Sequence, residues 1–504
     1  MSQQQDKAMM DAMAAEAATS QMALVSLEPR GTAPNETIPL GALPIELFFE
    51  IFSHLVHDIR SWQHQLDYQT HDHLIALTQR VKIGHLRSLA LTCRAMQQKV
   101  ARFCSAQAYL VVPRLDAAAH IVGLLRRLRE RPERAPSVRR LYLGLDTVRC
   151  HAERIGPHIP LLMEAAAVDA VPGLAVPEIL RERAREMEAR TLSPAESLQL
   201  WPVIPDVLAF LALLPAVRLT GLQECTIAAG PKVLAAMAER LRRSGPFFPK
   251  TESLTLAGVR SAADRDEALV LEPSVVSGFL ATSPRLTGLR LDRFEFRWAG
   301  PVTGVENLGS IVLRGAAVDV PSLRLLLEGC GRLRTFMYFA QRPQPKPGRG
   351  ARKGRPPPRA HDIAGALGRS ADALRTLCLD LGQAGAAAGA GEEQRVLFSV
   401  GNFRNLQRVW IDSKTVLANM HALPAHDARA DRVSHFLRTL PGSLSKLHMS
   451  GPARGLAAEM PYLAEAGGLK QLAVEPATVR DAVDVLKEAG IEVIEVADPR
   501  PVLW

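Results

Sequence analysis

The chain has 504 residues, of which 47% are hydrophobic and 22% charged, with a formal net charge of +9. Its longest apolar run, Val207 to Val217 with Pro215 inside it, is far short of the about 20 residues a membrane helix needs. The first residues carry Asp6, Asp11 and Glu16 rather than the basic start and apolar centre of a secretory leader. Cysteines at 93, 104, 150, 225, 330 and 378 form no C-x-x-C pair, so reduced thiols and a cytoplasmic or nuclear setting are expected, with no membrane partner.

Residues 1–38 are rich in Ala, Met and Gln and read as a mobile tail. A helix is predicted from Pro44, which suits a first helical position because its missing N–H is not needed there. Glu46 and Glu50 lie in its first turns, where the helix dipole favours anions. Leu47, Phe48, Ile51, Phe52 and Leu55 fall on one face. A polar, His-rich loop follows near 57–84, then a second helical pattern, LRSLALTCRAMQQKVARFC, that completes a small module over 39–104. Next come a short strand, AYLVVP at 108–113, and a helix through Ile121, Val122, Leu124, Leu125 and Leu128 that ends before Pro132.

From residue 105 to 498 one pattern returns: Leu-x-x-apolar-x-apolar. It occurs at Leu141, Leu222, Leu254, Leu286, Leu308, Leu333, Leu374, Leu406, Leu444 and Leu469 in VRRLYLG, LQECTIA, TESLTLAG, LTGLRLD, LGSIVLRG, LRTFMYF, LRTLCLD, LQRVWID, LSKLHMSG and LKQLAVE. Steps such as 308 to 333 and 444 to 469 match the 20–29 residues of leucine-rich repeats, and longer steps carry insertions. One strand cannot bury its leucines alone, so the units are expected to stack into a curved parallel sheet backed by helices, an α/β solenoid. Helical returns are predicted in SVVSGFLATSP, VPSLRLLLEGCG, DRVSHFLRTLPG and the block 193–215, with an insertion at 146–192.

Two further insertions are expected. Residues 341–359 hold six prolines, seven Lys or Arg and no acid, and are read as a disordered basic segment. Those seven charges leave only +2 for the rest of the chain, so the folded body is not basic. Residues 383–391 are small and uncharged, and 499–504 form a short C-terminal tail.

The strings Leu43-Pro44-x-Glu46-Leu47-x-x-Glu50-Ile51-Phe52-x-x-Leu55 and Leu86-x-Ser88-Leu89-Ala90-Leu91-Thr92-Cys93-Arg94 together resemble an F-box. With the repeats behind it, the chain resembles fungal F-box proteins with irregular leucine-rich repeats. The resemblance implies the substrate-recruiting subunit of an SCF-type cullin–RING ubiquitin ligase. Such a subunit docks on a Skp1-type adaptor, and through it a cullin, while the repeats hold a target protein. It implies no catalysis and no cofactor. Independently of the resemblance, a module of this size leaves an apolar helix face uncovered, and such faces mark partner surfaces. The expected adaptor contacts are Leu43, Pro44, Leu47, Ile51 and Leu55, with Leu89 and Leu91 from the later helix.

Target contacts are expected at the x positions between inward residues: Tyr142, Thr226, Thr255, Arg290, Val312, Met337, Cys378, Trp410, His448 and Ala473. Tyr142, Arg290, Trp410 and His448 stand out, since exposed aromatics and Arg anchor interfaces. His54, His57, His64, His71 and His73 have spacings that zinc accepts, but no Cys accompanies them. They are read as a solvated loop, with no metal. Cys93, Cys225, Cys330 and Cys378 are read as packing residues. No phosphate-loop, zincin or serine-hydrolase string is present, and GRGARKG at 348–354 lacks the strand-to-helix context of a phosphate loop. The competing reading is a nucleic-acid-associated or nuclear scaffold protein using the basic insert, which has no aromatic residue to stack on bases.

Overall fold

The computed structural model describes residues 88–106, 109–112, 117–145, 181–182, 204–244, 247–259, 269–340, 358–381, 399–412, 439–450, 468–474 and 483–495. Thirteen strands are β1 Tyr109–Val112, β2 Arg140–Leu145, β3 Glu224–Ala229, β4 Ser253–Gly258, β5 Gly288–Asp292, β6 Glu295–Phe296, β7 Ser310–Val318, β8 Thr335–Ala340, β9 Thr376–Asp380, β10 Arg408–Asp412, β11 Lys446–Ser450, β12 Gln471–Val474 and β13 Glu492–Glu495. The helices are α1 Arg94–Ala106, α2 Ala117–Glu130, α3 Ile204–Arg218, α4 Pro231–Ser244, α5 Pro273–Ala281, α6 Val320–Leu327, α7 Ala360–Ala366 and α8 Val483–Glu488. Twelve strands form one parallel sheet in the order of the chain, from β1 to β13, and the sheet does not close on itself. Only β6 leaves this path, pairing with the far end of β7.

The repeated pattern explains the sheet. Its first apolar slot is taken in turn by Val138, Leu222, Thr251, Leu286, Leu308, Leu333, Leu374, Leu406, Leu444 and Leu469, all buried. The second slot aligns Leu141, Cys225, Leu254, Leu289, Ile311, Phe336, Leu377, Val409, Leu447 and Leu472 in one register row. The third runs from Leu143 through Leu313 to Val474, and the three rows join the helices in a single core. Thr251 occupies a leucine slot because its hydroxyl, fully buried, donates to the Leu222 carbonyl at 3.2 Å.

One backbone device holds the register. The carbonyl just after the first slot accepts two successive N–H groups of the next unit. Arg139 O takes those of Gln223 (2.8 Å) and Glu224 (3.0 Å), and Gln223 O takes those of Glu252 and Ser253. The device recurs nine times, ending with Ser445 O and the N–H groups of Lys470 and Gln471. Each strand therefore starts level with its neighbour. The one register shift lies between Arg314 and Ala316 in β7, where Gly315 takes φ +56°. The short arm of β7 beyond this bulge is the part that pairs with β6.

The helices cover one face. The segment Val207–Leu214 in α3 is apolar all round and wholly buried, as a helix with no polar face must be. It packs between α2 and α4. Its first-turn Asp206 is gripped by Arg240 of α4 through two hydrogen bonds of 2.8 and 2.6 Å. In α6, buried Asp319 accepts the Ser322 N–H at 2.8 Å as an N-cap. The Ser322 hydroxyl accepts the Trp298 backbone N–H at 2.7 Å, and the Trp298 indole donates to Leu271 O at 2.6 Å.

Several expectations need correction. The pattern LRSLALTCRAMQQKVARFC is not one helix. A helical turn at 88–90 ends in a turn at Leu91 and Thr92, and α1 starts at Arg94. The Thr92 hydroxyl donates to Leu89 O at 2.7 Å, competing with the helical ladder for that carbonyl. Cys93 is exposed, not packed. The basic insert also ends earlier than its composition suggests. Pro358 is buried, and Arg359 donates its backbone N–H to Asp362 at the start of α7 (3.0 Å). Residues 341–357, the tail 1–38, the stretch 39–87, the insertion 383–391 and the tail 499–504 lie outside the described residues, as does 146–192 apart from 181–182.

Close approach makes Gly221 irreplaceable: a Cβ there would stand 1.9 Å from the Pro136 carbonyl oxygen. Gly123, inside α2, has nothing within 4 Å of its Cβ direction. Gly221→Ala should therefore cost about 2–3 kcal/mol through forced backbone movement. Gly123→Ala should add about 0.5–1 kcal/mol through helix propensity. Denaturant unfolding of both variants checks the pair, and equal effects would contradict the packing described.

Candidate functional site

Side chains alternate across a strand, so the residues between the buried slots face away from the helices. They form a row across the sheet: Tyr142, Thr226, Thr255, Arg290, Val312, Met337, Cys378, Trp410, His448 and Ala473. Two residues further along the strands runs a second row, with Ala228, Ala257, Asp292, Arg314, Phe339 and Asp380. The four residues singled out from the sequence thus share one row of one face.

Their expected exposure does not hold. Tyr142 is 0% exposed and forms a small apolar cluster with Ala228, Ala257 and Val259, separate from the main core. Trp410 and His448 are 6% and 5% exposed. Their rings meet edge to face at 5.7 Å on neighbouring strands, and Phe339 approaches Trp410 from the other side at 6.1 Å. Aromatic rings at matched cross-strand positions lean on one another and exclude water. Arg290 is anchored within the protein. Its Nε donates to both carboxylate oxygens of fully buried Asp292, at 2.8 and 3.0 Å. The half-buried middle of the row is Thr226, Thr255, Arg290, Val312 and Met337, a shallow strip between two buried aromatic ends.

The aromatic end carries polar atoms that the fold leaves unused. Among the described residues, buried Trp410 Nε1 and His448 Nδ1 have no hydrogen-bond partner. Burial disfavours the charged imidazole and pushes the His448 pKa down to about 4. Asp292 and Phe339 are site residues the sequence reading missed. Both sit two places beyond a chosen x position, and counting the alternation one step further would have found them.

Thiol chemistry is not poised on this sheet. Burial pushes Cys225 up to about 12, and it raises Cys330 to about 12 with help from the charge of Glu306. Cys378 is raised well above the ordinary thiol value by burial and by Asp380. Among the described residues, no group of three His, Cys, Asp or Glu side chains is arranged to hold a metal ion, and no helix is long and apolar enough to cross a membrane. The His-rich stretch lies outside the described residues.

Of the expected adaptor contacts, Leu43, Pro44, Leu47, Ile51 and Leu55 also lie outside the described residues. Leu89 is half-buried. Leu91 is 79% exposed, the one large apolar side chain exposed among the described residues. Comparison of the chain with protein-family models and with curated proteins finds no match in either.

A buried neutral histidine makes stability depend on pH. With its folded pKa near 4 and an ordinary value of 6.5, the unfolded chain binds the extra proton between those limits. The His448 contribution is fully present above about pH 6.5 and is lost as the pH falls towards 4, by up to about 1.4 kcal/mol per pH unit. His448→Phe should remove this part of the slope. Unfolding free energies of both proteins at pH 7.0 and 5.0 check it, and parallel losses would show that His448 does not titrate as described.

Proposed function

We propose that the chain is the substrate-recruiting F-box subunit of an SCF-type cullin–RING ubiquitin ligase, working in the cytoplasm or nucleus. The N-terminal module docks on a Skp1-type adaptor, and an irregular leucine-rich-repeat solenoid holds the target protein. The observation that carries the reading is Leu91. A leucine inside the LALTCR string is held out to solvent by a turn rather than packed on the first strands. Leaving a large apolar side chain in water forgoes about 2 kcal/mol of burial, and a partner surface recovers it. The parallel sheet supports the second half, because a stack of units presents a long face on which a protein segment can lie. No bond chemistry is asked of this subunit. It raises the effective concentration of a target beside a ubiquitin carrier.

Two changes in the target-binding surface follow from the burial described. Tyr142, Trp410 and His448 shape the ends of the strip, and Arg290 is oriented by Asp292, while Thr226, Thr255, Val312 and Met337 offer the accessible contacts.

The adaptor half is tested by co-purification with a Skp1-type protein. Leu47→Asp and Ile51→Asp should abolish the complex. Leu91→Asp should weaken it at least tenfold while leaving the thermal midpoint unchanged, since the side chain is already exposed. Wild-type protein that never binds the adaptor, or a Leu91→Asp variant that binds as well as wild type, rejects the reading.

A further inference from the structure

A cleft of about 490 Å³ opens where β8, β9 and β10 begin, away from both faces of the sheet. Its charged lining is Arg332, Arg334, Arg375 and Asp372, with Asn405 and Gln407 beside them. The register device described above places these groups. Arg375 N–H donates to Arg334 O at 2.8 Å, and Gln407 N–H donates to Arg375 O at 2.8 Å. Arg334 and Arg375 thus occupy the same position in adjacent units, about 4.8 Å apart along the sheet. Both side chains are exposed.

Two other arginines are matched with acids. Arg140 faces Glu224 on the next strand at 3.3 Å, and Arg369 is paired with Glu328 at 3.3 Å. Among the described residues, Arg332, Arg334 and Arg375 make no such ion pair. Like charges directly opposite one another destabilise a sheet, so folding gains nothing from this arrangement. Asn405 is committed, its side-chain amide donating to Asp372 O at 2.6 Å.

We propose that this cleft is an anion site that takes a phosphate monoester. Three guanidiniums against the single Asp372 carboxylate leave +2 in the cleft, and a phosphate monoester carries about −1.5 to −2 at pH 7. Guanidinium forks match phosphate oxygens in pairs, which a lysine ammonium does not. The Gln407 amide adds a neutral donor on the third unit. The volume exceeds what a bare phosphate fills and lies within the about 300–1,000 Å³ typical of ligand sites. The ester therefore brings a body with it, either a small molecule or a phosphorylated side chain with its neighbours.

Phosphorus-31 line broadening of two probes, inorganic phosphate and a blocked phosphoserine tripeptide, tests the site in the full chain at matched ionic strength. Both probes should broaden on adding the protein. Tighter binding of the tripeptide assigns the site to phosphorylated protein segments, and equal or weaker binding assigns it to small phosphates. Arg334→Gln and Arg375→Gln should each lower affinity about tenfold, and Asp372→Asn should raise it several-fold. Arg404→Gln, on the same edge outside the cleft, should change nothing. Unchanged thermal midpoints establish that the variants fold. No broadening by either probe overturns the proposal. So does broadening that survives the Arg334→Gln, Arg375→Gln double variant, or an equal loss with Arg404→Gln. The measurement needs no adaptor or target, so its outcome is independent of the ligase reading.

Discussion

Everything in this molecule is indexed by one shared carbonyl. The oxygen that follows each leading apolar residue accepts two consecutive N–H groups of the next unit, from Arg139 to Ser445. A carbonyl has two lone pairs, and using both at the start of a strand fixes where that strand begins. A slip of one residue would turn every leucine of a unit to the wrong face, and the double acceptor makes the slip cost two hydrogen bonds as well as the core. The core then needs only apolar bulk at three slots, which is why Cys225, Ile311, Phe336 and Met449 substitute for leucine without disturbing the register.

A locked register also decides what the other face can do. Equivalent positions in successive units lie about 4.8 Å apart, so whatever stands at an x position meets its counterpart in the next unit. Aromatic rings on adjacent strands close over one another, as Trp410 and His448 do with half-buried Phe339 beside them, and Trp410 and His448 are thereby buried. A lone arginine instead finds a carboxylate two residues along its own strand, as Arg290 finds Asp292. The residues that look most like interface anchors are thereby drawn into the structure, and the smaller side chains between them are left accessible.

The array was legible in the sequence because its signal is repeated and its spacing local. All ten pattern sites fall on strands or their approaches, and the apolar stretch from Val207 is buried in α3. Exposure was not legible, because it depends on which neighbours the stacking brings alongside, and neither Trp410 nor His448 is adjacent to the other in sequence. The leading threonine at 251 hid one unit's start, since its role rests on a hydrogen bond to Leu222 rather than on apolar character. The break at Leu91 to Cys93 was missed for a similar reason. The helical period runs straight through it, and the Thr92 hydroxyl is what diverts the chain. The cleft at the start of β8 to β10 had a visible signal, the repeated tripeptide Leu-Arg-Thr at 333–335 and 374–376, but its meaning requires knowing that these units are neighbours.

The same lock determines where the chain can tolerate insertions. Because each strand is pinned at its beginning, extra residues can be added only after the strand ends and before the next leading apolar residue. The long intervals follow this rule: they come after Leu145, Ala340, Asp380, Asp412 and Ser450, each the last residue of its strand. The opposite edge, where the strands begin, keeps short approach segments and is held by the shared carbonyls from β2 to β12. Along this edge, as along the open face, side chains stand at a constant spacing with no insertion between them. Charge placed on that edge is therefore held at fixed intervals by the backbone itself, which is what recognition of a small, highly charged group requires.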